Sequence, residues 1–202
     1  MTAILKVDTI QDTAGNNIIN ESSDTITIGA SGDTISIPSG ATIANSGTAT
    51  GFGEANTPSF RATMSANQTG LSMSTQTKVQ FNTETWDTGS CFDTSNYRFT
   101  VPSGEGGKYC ITAHVHTRVE SGNTTGKSVR LTKNGSFLTE SVDSLDVNLY
   151  NTRSNHQQIT AIENLSAADY IEVYSLQWEG GSSGTTNIQT ESSYFTAFKI
   201  IE

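Results

Sequence analysis

The residues with most chemistry to offer are the histidines, two of which, His114 and His116, flank a single valine. In an extended chain that spacing turns both imidazoles to one strand face, away from Tyr109, Ile111 and Val115. Three chains meeting on an axis would then offer a ring of imidazoles to one transition metal. A polar contact within or near a subunit interface is the simpler expectation, and neither a bound metal nor a cofactor is expected. Carboxylates close in sequence occur as Glu84/Asp87 and Asp143/Asp146, the arrangement glycoside hydrolysis needs. Each pair lies in a Ser/Thr-rich segment with no apolar run to raise a carboxyl pKa, so a solvated surface is the better reading. His-Glu-x-x-His and Walker patterns are absent, and the chain is not expected to be an enzyme.

Two cysteines, Cys91 and Cys110, are too few for a disulfide framework and read as free thiols, although one bridge between them stays geometrically open. A Cys nucleophile paired with His114 or His156 is a weaker reading than packing, since Cys110 sits inside a strand pattern. Trp86 and Trp178 adjoin polar segments, and their indole faces suit stacking on sugars; each could instead cover a strand edge. They are the ligand-binding candidates. The polar segments beside them and elsewhere are "NTETWDTGSC", "RVESGNTTGK", "YNTRSNHQ" and "EGGSSGTTNIQTE", all expected to be loops.

The elements that position these residues are strands. From residue 58 onward no helical period lasts three turns, whereas alternation recurs: Val79 with Phe81, Tyr97 with Phe99 and Val101, Tyr109 with Ile111, Ala113 and Val115. "VRLTKNGSFL" predicts a hairpin turning at Asn134-Gly135, the pair best suited to φ > 0. Further strands are expected at "VNLY", "HQQITAI" and "YIEVYSL". The last, "SYFTAFKII", is apolar on both faces, Tyr194, Phe198 and Ile200 against Phe195, Ala197 and Ile201, which predicts a strand covered on both sides, one of them by another subunit. Many short strands with Gly-rich turns indicate an all-β, two-sheet antiparallel jelly roll.

The N-terminal quarter is different. The two Trp, six Tyr and eight Phe all lie from Phe52 onward, so the main core belongs to the second part, and the boundary falls within residues 50 to 60. Before it, "DTITIGASGDTISIPSGATI" nearly repeats itself, with Ile26 and Ile28 and then Ile35 and Ile37 as short strands between Gly/Pro turns. Burying two isoleucines is worth less than ordering the unit costs, so such units need neighbouring chains. The organisation expected is a stem and attachment segment over 1–57 and a jelly-roll head over 58–202.

With 11 basic residues, a net charge of −9 and no basic-aromatic cluster, nucleic acid is not an expected partner. The start lacks the pattern of a secretory leader, and no apolar run is long enough for membrane insertion.

Residues 81 to 115 resemble the globular head family of complement component 1q, which shares the trimeric jelly roll of tumour necrosis factor. The pieces are Asn82, Phe92-Asp93, Tyr97 with Phe99 and Pro102, Gly107-Lys108-Tyr109 and His114, followed by "LTKNG", "LSAADYIEV" and "SYFTAF" in the family's order. The chain departs in the long "SGEGG" turn, in Ala168 where Gly is usual, and in Ala197 in place of a closing Gly. The stem resembles the N-terminal regions of fibre and appendage proteins of tailed bacteriophages. Together the resemblances imply a homotrimer, with His114, His116, Tyr194, Phe195 and Phe198 as interface candidates. They imply a virion fibre or tail appendage, made in a bacterial cytoplasm and joined to other virion proteins by the N-terminal segment, whose head binds a host surface glycan or protein. A purely structural fibre or decoration without receptor specificity is the alternative.

Overall fold

The computed structural model describes residues 9–46, apart from 12, 16, 24, 30 and 45, and residues 56–150, 154–180 and 183–200. Ile201 and the first eight residues of the expected attachment segment lie outside the described residues. The chain divides into two compact units, Met1–Thr50 and Gly51–Glu202.

The first unit is a meander of β1 (Thr9–Gln11), β2 (Asn17–Ser22) and β3 (Thr25–Ile28). Cross-strand pairing aligns Ile10 with Ile19 and Ile19 with Ile28, so the three share one face with Ile26. All four are exposed, Ile26 at 69%. The second repeat differs from expectation: Ile35 and Ile37 are exposed and residues 33–38 join no strand.

The second unit contains β4 (Ser59–Thr63), β5 (Gln68–Ser72), β6 (Thr77–Lys78), β7 (Thr83–Thr88), β8 (Phe92–Asp93) and β9 (Arg98–Thr100). Six longer or closing strands follow: β10 (Gly107–Ser121), β11 (Asn123–Lys133), β12 (Ser136–Tyr150), β13 (Ser154–Leu165), β14 (Tyr170–Glu179) and β15 (Thr185–Lys199). Every pairing is antiparallel. One sheet runs β13-β10-β15-β4-β7, with β5 on β15; the other runs β12-β11-β14-β9-β8, with β6 on β14. Because β10 passes to β11, β12 to β13, and β14 to β15, consecutive strands repeatedly change sheets, which makes the two sheets a jelly roll rather than two meanders.

Alternation decides the faces. Tyr109, Ile111, Ala113 and Val115 of β10 point inward and are fully buried, as are Val129 and Leu131 of β11 and Ile171 and Val173 of β14. Phenylalanines fill the middle: Phe60 stacks on Phe92 at 4.6 Å and meets Phe195 edge-on at 4.9 Å. The expected turn at Asn134-Gly135 forms with both residues at positive φ, 53° and 76°.

The expectation for the closing strand is corrected. Phe195 and Ala197 of β15 are buried in the chain's own core, so Phe195 is not an interface residue. The other face carries Tyr194, Thr196 and the 40%-exposed Phe198. The four expected loops also change: residues 154–157 of "YNTRSNHQ" belong to β13 and residues 185–191 of "EGGSSGTTNIQTE" to β15. "NTETWDTGSC" is mostly the edge strand β7, and in "RVESGNTTGK" β10 and β11 leave only Gly122 between them.

Candidate functional site

Two surfaces of the head bring candidate residues together. The first is the outward face of the β13-β10-β15-β4-β7 sheet, where cross-strand register stacks side chains that are far apart in sequence. His114 of β10 lies opposite Tyr194 of β15 and Gln158 of β13; His116 lies opposite His156 and Gln189. The rings stack: His116 on His156 at 4.1 Å, His114 on His156 at 5.3 Å, and His114 on Tyr194 at 5.5 Å. The Arg61 guanidinium of β4 caps the row 4.2 Å above the Tyr194 ring.

The backbone determines the state of these rings. Nδ1 of His116 lies 3.0 Å from the carbonyl oxygen of Glu191, and Nδ1 of His114 bonds that of Ser192. A carbonyl only accepts, so both Nδ1 atoms carry the proton and each neutral ring keeps its lone pair on Nε2. Nε2 of His116 is buried without a hydrogen-bond partner. Parallel rings do not converge on one ion, and among the described residues no three His, Cys, Asp or Glu side chains group to hold a metal. Partial burial, then the imidazoles of His116 and His114, hold His156 below the ordinary histidine value.

At one end of the same face Ile162 of β13, Cys110 of β10 and Phe198 of β15 form a cross-strand row. Ile162 is 63% exposed, an unusual residue to leave open beside a half-exposed Phe198. Trp86, 46% exposed, lies opposite Arg61 at the sheet's edge strand. It therefore belongs to strand β7 and not to a loop.

The second surface is the end of the head formed by the β10–β11 and β14–β15 junctions, so two of the four polar segments meet there. Gly180 N–H donates to the Asn123 carbonyl at 2.8 Å, and the hydroxyls of Ser121 and Thr185 bond at 3.0 Å. Gly122 and Gly184 let the two turns touch: a Cβ on Gly184 would lie 2.2 Å from the Ser121 carbonyl oxygen. The segment after β5 joins them through Met73 N–H to the Gly184 carbonyl and Ser74 N–H to that of Gln177. Trp178, half-buried, stands at this end on β14 opposite Gly126, where a bulge interrupts β11. Trp86 and Trp178 thus sit in different sheets and form no common platform.

The remaining candidates have local roles. Asp87 accepts from the backbone N–H groups of Cys91 and Phe92 and from the Cys91 thiol, closing the turn between β7 and β8. Burial, then the bond to Asp87, pushes the Cys91 thiol up, opposite to what a nucleophile needs. Both cysteines are free. The side chains of Asp143 and Asp146 lie outside what is described. Sequence reasoning missed Arg61 and Ile162 and left His156 apart from the other histidines. The only available signal was outward alternation in strands whose register was not yet known.

No protein-family model matches the chain, and no curated protein matches it by sequence. Among solved structures it is similar to the globular domain of zebrafish complement 1qA protein, with 17% identity over 71% of this chain and 97% of that one, at a TM-score of 0.47. It is also similar to Eiger TNF from S. frugiperda, with 14% identity over 70% and 90% of the two chains, at a TM-score of 0.50. With the strand order above, the second likeness fits the fold: an all-β, antiparallel jelly roll similar to that of a tumour necrosis factor domain. At such identities it shows the fold alone. No helix among the described residues is long and apolar enough to cross a membrane.

Proposed function

We propose that three copies of this chain form a bacteriophage fibre or tail appendage whose head binds a host cell-surface glycan or protein through the loop end around Trp178. The observation that carries the binding role is the convergence there of two polar segments and the residues after β5 on a base of paired glycines and backbone hydrogen bonds. Such loops on a rigid scaffold are the usual seat of recognition. Self-association is supported separately by the outward row of Ile162, Cys110 and Phe198, and by the exposed isoleucine face of the first unit. Both are apolar surfaces that a lone chain leaves in water. Residues 1–57 would be the stem that joins the particle, and 58–202 the head.

The test uses purified full-length protein in competition with virions for adsorption to susceptible bacteria. Wild type should slow adsorption, and Trp178→Ala, at unchanged native mass, should do so at least tenfold less well. A folded trimer that neither binds cells nor slows adsorption at saturation would favour a purely structural fibre or decoration. Labelling at a capsid face instead of the tail would point the same way.

A further inference from the structure

We propose that the stack of His114, His116 and His156 is a pH-sensitive latch: neutral, it ties β10, β13 and β15 together and lets copies of the chain dock on this face; protonated, it opens and releases them. The chain's three histidines all lie in this one stack.

The geometry leaves no acceptor for a second ring proton on His116. With Nδ1–H already committed to the carbonyls of residues 191 and 192, a second proton must go to Nε2. On His116 that atom is sealed from solvent and has no acceptor, so the new N–H would be an unpaired charge-bearing donor. A charge on His156 would then lie 4.1 Å from it, centroid to centroid. The surroundings do not compensate. Arg61 comes from β4 and Lys127 from β11, while Arg118, next along β10, is engaged by Glu120 at 3.5 Å. From β15 come the neutral Tyr194 ring and Glu191, the carboxylate that favours a charged His156. One carboxylate faces three imidazoles and two cations.

The sign follows from linkage. His156 is held below its unfolded value, so its contribution is complete above about pH 6.5 and is lost as pH falls through the folded value. Each histidine whose proton uptake the fold suppresses makes the unfolding equilibrium constant rise about tenfold per pH unit over that window. For assembly, the latch rests on the homotrimer proposed above; for the stability of the single chain it does not.

The experiment follows thermal midpoint and native mass of the full chain from about pH 8 to about pH 5, for wild type and for His116→Gln/His156→Gln. Wild type should lose stability and dissociate over this range, and the variant should show neither the slope nor the release. Equal slopes in the two proteins, or a flat wild-type profile, would overturn the latch. If the double variant fails to fold, His156→Gln and imidazole NMR of wild type decide it. Rings titrating independently, with no change in hydrodynamic size, would refute it; Nδ1–H tautomers at neutral pH and loss of the stack on protonation would support it. A monomer at about pH 8 would sink the homotrimer, yet the slope of its thermal midpoint would still decide the latch.

Discussion

Phe195 and Phe198 stand three residues apart on one strand and separate folding from association. Phe195 contacts the rings of Phe60, Phe81 and Phe92, so Phe195→Asp should leave the head unfolded, with circular dichroism and solubility lost together. Phe198 faces outward, so Phe198→Asp should give a folded chain that sediments as a monomer. A trimeric Phe198→Asp protein would remove the outward face from the interface. Ala168 occupies the left-handed region at φ 69°, where a Cβ is unfavourable. Ala168→Gly should therefore stabilise the head by about 1 kcal/mol in denaturant titration.

Among the elements, the β11–β12 hairpin and the β13–β14 turn are knotted together through Asp169. It accepts from Asn134 Nδ2 at 2.7 Å and Ser166 N–H at 2.8 Å, and pairs with Lys133 at 2.8 Å. These bonds, those of Lys133 and Asn134 foremost, hold its carboxyl down at about 2. A depressed carboxylate stabilises above its unfolded value and stops doing so as pH falls through the folded one. Acid unfolding should thus steepen between about pH 4 and about pH 2, and Asp169→Asn should be less stable at neutral pH with a flatter acid limb. The glycines of the loop end give a second element-scale outcome. Gly184→Ala would drive a Cβ into the Ser121 carbonyl and force the β14–β15 turn off the β10–β11 turn. Cell binding should fall with the turn's displacement while native mass is unchanged.

Taken as a whole, the molecule has unequal halves. Among the residues whose burial is described, every buried hydrophobic one belongs to the second unit, whereas the isoleucines of the first are exposed. Residues 56–202 should therefore fold and trimerise alone, and residues 1–51 should order only at high concentration, as association by mass action requires. Circular dichroism of the two fragments across a concentration series checks this. A stem fragment with concentration-independent strand signal would show that it needs no partner.

How much of this was legible differs from residue to residue. Asn134-Gly135 announced its turn because positive φ is a local steric preference, satisfied wherever the pair occurs. Tyr109, Ile111, Ala113 and Val115 announced their strand because period-two alternation is also local, and the aromatic-free N-terminus showed where no core could form. Alternation names two faces, however, without saying what covers either. That β15 turns Phe195 inward and Phe198 outward was decided by its pairing with β10 and β4. That His156 stacks on His116, and that the turns at Gly122 and Gly184 touch, depended on strand register across long stretches of chain. Register is fixed only when the two sheets close on one core, because a slip of one residue would exchange the faces of every strand at once.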